Sequence, residues 1–234
     1  TSILNNNNLK FGCASTCITS DAWDGDLDDL KVYNYVRTSA QIAYDYNRGA
    51  PKYYWALDEC QGTLAYNSAP TGTGLAAGTN GTITPGAGSN TTVGTCNSGT
   101  TTEMWNDGTT GKRNGSLGFD GTDDYVEIPS ISIPDNQDLS VSAWAYISSA
   151  KTGIATDILS GCNDPSVAPD CTGGDYDGLI IRKDANDKVQ WSIYYQRSGT
   201  GRCTYITTDS LPMDQWVHVT GTYDEADGSG AGKV

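Results

Sequence analysis

The feature that most constrains this chain is a rhythm of two. Leu139, Val141, Ala143, Ala145 and Ile147 alternate with Ser140, Ser142, Trp144 and Tyr146, and Val189, Trp191, Ile193 and Tyr195 alternate with Gln190, Ser192 and Tyr194. Successive side chains of an extended backbone point to opposite faces, so each run predicts a strand with two unlike faces. The same rhythm runs through 216–223, 53–57, 117–128 and 27–35, with turn residues between the runs at Asn106-Asp107-Gly108, Asp120-Gly121, Asp184 to Asp187 and Asp227 to Gly232. Only Ser39 to Asn47 suggests a helical turn, with Ser39 as its cap and Gly49-Ala50-Pro51 as its stop. Many short strands with regular punctuation predict an antiparallel sandwich or barrel. A hydrophobic fraction of 37% suits a thin two-sheet core, whose aromatic filling must come from 6 Trp and 14 Tyr, since Phe and Met number two each.

Charge narrows the partners. Acidic side chains number 28 against 14 basic ones, a net charge of −14, which repels a phosphate backbone and argues against nucleic acid. No run approaches the roughly 20 apolar residues of a membrane helix, so no membrane insertion is expected within these residues. Seven Cys without a C-x-x-C pair, beside a single His, favour disulfides over zinc. The expected pairs are Cys162 with Cys171 and Cys60 with Cys96, scattered thiols being the alternative. Cys203 is the leftover, unless it pairs with Cys13 or Cys17. Residues 67–116, rich in Gly, Thr, Asn and Ser, read as a surface excursion pinned by Cys60 and Cys96, with Ile83 and Trp105 touching the body. Three sequons at Asn80, Asn90 and Asn114 fall there.

Specific strings then become recognisable. Gly115-Ser-Leu-Gly-Phe-Asp-Gly-Thr-Asp-Asp-Tyr-Val-Glu-Ile-Pro129, Ser142-Ala-Trp144 and Gln215-Trp-Val-His-Val-Thr-Gly-Thr-Tyr-Asp224 resemble laminin G-like modules of the concanavalin A-like lectin/glucanase superfamily. Tyr54-Trp-Ala-Leu-Asp-Glu59 is similar to the opening strand of such a module, and Asp24-Gly-Asp-Leu-Asp-Asp-Leu-Lys-Val-Tyr-Asn34 to its closing strand. The resemblance implies an all-β, concanavalin A-like jelly-roll sandwich of two antiparallel sheets. The order differs from the family's, because the closing strand precedes the opening one. The chain therefore divides into 1–37 as closing strands, 38–52 as a linker with a short helix, and 53–234 as opening and central strands. Either it closes on itself as a circular permutant, or residues 1–37 complete a neighbouring copy. The second is the expectation, since an unpaired strand edge is avoided in natural sheets.

The chemistry to expect is limited. The Glu-x-Asp-x-x-Glu strand of the superfamily's glucanases is absent; Glu225-Ala-Asp227 begins it, but Gly230 stands in place of the second Glu. His218 lies on a polar strand face, and no catalysis is expected. The resemblance implies structural calcium near the loops, with Asp28 and Asn67 as the chosen ligands, although the family commonly has Asp at the place of Asn67. Asp120, Asp123 and Asp124 are expected to serve a tight turn. Ring platforms for a sugar are expected at Trp23, Trp105 and Tyr194, whereas Trp55, Trp144, Trp191 and Trp216 read as packing. The functional expectation is a secreted or cell-surface, non-catalytic structural and adhesive sandwich. It would assemble with other copies by strand complementation or as a tandem array, even as a filament. The alternative is a carbohydrate-binding module of a larger secreted enzyme or adhesin.

Overall fold

The computed structural model describes residues 9–13, 22–38, 41–42, 51–69, 79–96, 100, 102–106, 111–129, 131, 138–162, 178–196, 200–224 and 229–233. They form two sheets. The eight-stranded sheet runs β13 (Thr200–Ser210), β12 (Lys188–Gln196), β11 (Gly178–Lys183), β10 (Thr156–Cys162), β1 (Leu9–Phe11), β8 (Tyr125–Ile128), β5 (Gly81–Thr84) and β4 (Leu64–Ala65). The seven-stranded sheet runs β15 (Ser229–Lys233), β14 (Trp216–Asp224), β9 (Leu139–Ile147), β2 (Asp24–Tyr33), β7 (Ser116–Asp120) and β6 (Trp105–Asn106), with β3 (Tyr53–Trp55) also paired to β2. All pairings between these strands are antiparallel. The fold is an all-β sandwich of two antiparallel sheets, as the alternation allows and of the concanavalin A-like kind that the resemblance implies.

The core lies between the sheets and follows the predicted rhythm. Leu139, Val141, Ala143, Ala145 and Ile147 of β9 face Leu159, Leu179, Ile181, Trp191 and Ile193 within one buried cluster. Trp191 lies against Gly221 of β14, where an added Cβ would stand 2.4 Å from the indole, and its Nε1 donates to the Thr222 carbonyl at 3.0 Å. Only a residue without a side chain lets the two sheets approach this closely around an indole.

The first strands of the chain complete its own sheets. β1 lies between β10 and β8, with Lys10 opposite both Ser160 and Glu127, and β2 lies between β9 and β7. β2 also meets β3, Leu30 opposite Trp55. Within this chain both places are taken by its own strands.

The described residues of 79–106 contribute to both sheets. β5 enters the eight-stranded sheet and β6 the seven-stranded one, and Ile83, Cys96, Met104 and Trp105 join the core. Cys60 and Cys96 form the expected disulfide. Cys13 is also disulfide-bonded. Cys17 and Cys171 lie outside the described residues, so the Cys162 and Cys171 pairing is untouched, and the side chains of Cys162 and Cys203 are likewise not described. In the linker, Gln41 and Ile42 are helical. Thr38 Oγ1 accepts from Gln41 N while Thr38 N donates to Gln41 Oε1, a reciprocal capping box, and Ser39, the expected cap, lies outside the described residues. Among the described residues no helix is long and apolar enough to cross a membrane.

Candidate functional site

The outer face of the seven-stranded sheet carries two cross-strand rows of unusual composition. In the first, Asp26 of β2 is opposite Tyr146 of β9, which is opposite Trp216 of β14. In the second, Asp28, Trp144 and His218 occupy the corresponding places. The ring centroids lie 6.0 Å apart for Tyr146 and Trp216 and 5.1 Å apart for Trp144 and His218, so the two rings of each row pack together beside the Asp in register with them. Trp216, His218, Tyr146 and Asp26 are half-buried, while Trp144 and Asp28 are buried.

A bulge in β2 sets this arrangement. Leu27 and Leu30 both belong to the core, yet a spacing of three would place them on opposite faces of a regular strand. Asp29 adopts φ 54°, the register to β9 shifts between Asp28 and Lys31, and Leu30 returns to the inside. Asp28 thus stays on the outer face beside Trp144, and Lys31 follows it opposite Ser142. Lys31 Nζ binds Asp29 Oδ2 at 2.7 Å and stands 5.0 Å from the Tyr54 ring.

Burial governs the electrostatics of the rows. Asp28 is 1% exposed; its Oδ2 accepts from Arg113 N at 3.0 Å, and its Oδ1 has no hydrogen-bond partner among the described residues. Desolvation, reinforced by the Asp29 and Asp58 charges, pushes its carboxyl up to about 8. Asp26 is pushed up to about 7, again by desolvation, against the opposing hydrogen bond from Asn106 Nδ2 at 2.6 Å. Gly118 makes room for that bond, since a Cβ there would lie 2.9 Å from the Asn106 amide and 3.0 Å from Asp26 Oδ1. The Tyr54 phenol is raised by desolvation and by the nearby Asp29, Asp58 and Asp28.

Residues 111–115 lie across the second row. Asp58 Oδ1 accepts from Gly115 N and its Oδ2 from Asn114 Nδ2, both at 3.1 Å, while Asp28 holds Arg113 N. Exposed Lys112 places Nζ 4.6 Å from the Trp144 ring.

The expected ring platforms are elsewhere. Trp23 is 0% and Trp105 2% exposed, both inside the core cluster, so neither presents a face to solvent. Trp105 Nε1 instead donates to Gly62 O at 2.9 Å. Tyr194 lies in β12, and its side chain is outside the described residues. Trp144 and Trp216, expected as packing, are absent from the inner core and line the outer rows.

The acidic groups divide similarly. Asn67 Oδ1 accepts from Tyr54 N and Ala69 N, and Nδ2 donates to Thr79 Oγ1, so its carbonyl lone pairs are committed to backbone amides. It does not fit the part of a ligand beside Asp28. Asp120, Asp123 and Asp124 offer carboxylate oxygens within 4.8 Å of one another, a set that could hold an ion. They also serve the turn, and more. Asp124 accepts from Gly86 N, Asp120 N and Asn90 Nδ2, Asp120 from Ser89 N, Asn90 N and Thr122 N, and Asp123 from Ala87 N. The carboxylates thereby pin 86–90 against the turn between β7 and β8.

Residues 120–233 match a family model described as the concanavalin A-like lectin/glucanases superfamily, in a laminin G type. No curated protein and no solved structure matches the chain. The matched segment supplies β8 to β15, and β1 to β7 complete the same two sheets around it. With this match, residues 120–233 are a laminin G-like segment of the concanavalin A-like lectin/glucanase superfamily, set in a sandwich that β1 to β7 complete.

Proposed function

We propose that the protein is a non-catalytic glycan-binding module of an extracellular protein, and that it binds on the outer face of the seven-stranded sheet. The observation that carries this reading is the pair of rows, Asp26 with Tyr146 and Trp216, and Asp28 with Trp144 and His218. Ring faces stack on the apolar side of a pyranose, and adjacent carboxyls bind its hydroxyls. The Cys60–Cys96 bridge suits an oxidising compartment.

Asp26 and Asp28 are a pair of carboxyls on one strand face, both made weaker acids by burial, the arrangement a hydrolase would use. Binding without turnover is supported by their engagement, Asp26 by the Asn106 amide and Asp28 beneath 111–115. Structural calcium is assigned to Asp120, Asp123 and Asp124, whose hard oxygens suit it, rather than to Asp28 with Asn67. Assembly with other copies is a second reading. It is favoured by the long edge strand β13 and opposed by the pairing of β1 and β2 within the chain.

A glycan array followed by calorimetry tests the leading reading. One glycan class is expected to bind and to be recovered intact, and Trp216→Ala should weaken it by tenfold or more with an unchanged melting temperature. Absence of any glycan ligand, or full affinity in the Trp216 variant, overturns the site; cleavage of the bound glycan overturns the non-catalytic assignment.

A further inference from the structure

Resting on the glycan reading, we infer that the ligand of this face is an amino sugar carrying a free amine, and that Lys112 occupies the subsite in its absence. The first observation is the Lys112 ammonium itself, 4.6 Å from the Trp144 ring and exposed. It shows that a cation is accommodated on that ring by the chain's own side chain. The second is Asp28, in register with Trp144, 1% exposed and with Oδ1 lacking a hydrogen-bond partner among the described residues. A buried carboxyl oxygen without a donor is costly, and an ammonium group supplies the donors and, as an opposite charge, favours the ionised form that burial disfavours.

The surroundings favour the same chemistry. Asp26, Asp29 and Asp58 lie on the elements around Asp28, and of the neighbouring cations Lys31 is bound to Asp29. Arg113 meets Asp28 through its backbone amide. An anionic sugar would meet this excess of carboxyls, whereas a neutral one offers hydroxyl donors to the Asp28 oxygen but no opposite charge. A glucosamine unit offers a pyranose face for Trp144 and Trp216 and a 2-ammonium for Asp28, displacing Lys112 into solvent. Among the described residues the backbone around Lys112 is held by the Arg113, Asn114 and Gly115 contacts to Asp28 and Asp58, so the Lys112 side chain can leave Trp144 first, and release of the Arg113 contact then opens Asp28.

Calorimetry of the full chain with three pentamers tests this: β-1,4-linked glucosamine, its N-acetylated counterpart and cellopentaose, with tetralysine as a fourth ligand. The free-amine pentamer is expected to bind at least tenfold tighter than the other three. Lys112→Ala should tighten it a further two- to fivefold, and Asp28→Asn should bring its affinity down to that of cellopentaose. Equal or stronger binding of the acetylated or neutral pentamer overturns the amine assignment and leaves the glycan reading standing. Tighter binding of tetralysine overturns it in favour of a basic protein partner. If none of the pentamers binds and the array is blank as well, both fail together.

Discussion

At the scale of the residue, Asp28 shows how a strand carboxyl becomes a functional group. Its acidity rises because desolvation disfavours the charged form and because Asp29 and Asp58 stand nearby, outweighing the Arg113 amide. Lys31, Tyr54, Lys112 and His218 also bear on this part of the face, but they are common to wild type and variant and cancel in a difference. An unfolded Asp titrates near 4, so between about pH 4 and 8 the folded chain holds a proton that the unfolded chain has released. Stability associated with this group is therefore full below pH 4 and is lost as pH rises toward 8. Asp28→Asn removes that loss while keeping an acceptor for Arg113. Urea unfolding should show a stability gain near zero at pH 4 that grows to on the order of 2 kcal/mol at pH 8. A difference that does not change with pH would mean that Asp28 is ionised throughout.

The same residues show what was legible. The alternation along β9 already placed Trp144 with Ser140, Ser142 and Tyr146, opposite the Val141, Ala143 and Ala145 face that fills the core. The size and apolarity of an indole suggest core filling and mask this period, and with it the rows. Trp23 and Trp105 carry no such signal, since Trp23 lies before a strand and Trp105 in a strand of two residues. Nothing local tells a buried indole from an exposed one there.

At the scale of the element, the bulge in β2 and the turn between β7 and β8 are the two devices that position the chemistry. The bulge leaves a trace in the sequence, Leu27 and Leu30 spaced by three, but only knowing that both face the core turns that trace into a prediction. The turn was legible as a turn. Its second task, holding 86–90, was not, because Gly86 and Gly88 are distant in sequence from Asp123 and Asp120. A Cβ at Gly86 would stand 1.7 Å from Asp123 Oδ1, and one at Gly88 2.0 Å from Asp120 Oδ2. Composition marked this stretch as loop, but its glycines allow backbone to approach carboxylates, and the strands on either side of it enter both sheets. If calcium joins the three carboxylates, chelation by EDTA should lower the melting temperature by several degrees, and Asp123→Asn should abolish that response. An unchanged melting temperature in EDTA would leave the turn held by backbone amides alone.

At the scale of the whole molecule, the two sheets are stitched by segments far apart in sequence, and β1 and β2 are the longest-range stitches. β2 sits between β9 and β7 and carries Leu27, Leu30 and Val32 into the core and Asp26 and Asp28 onto the candidate site. Removing residues 1–37 would therefore open a gap inside both sheets rather than trim an edge, exposing unpaired backbone and core leucines together. The truncated chain is expected to show no cooperative unfolding transition, and a peptide spanning 24–35 should restore one only in stoichiometric amounts. The intact chain, with both places filled from within, should sediment as a monomer at all concentrations. A truncated chain that folds alone would show that the strands are dispensable. Concentration-dependent polymers of the intact chain would show instead that copies exchange them, since a strand filling a place in its own sheet has the same pairing available in a neighbour's.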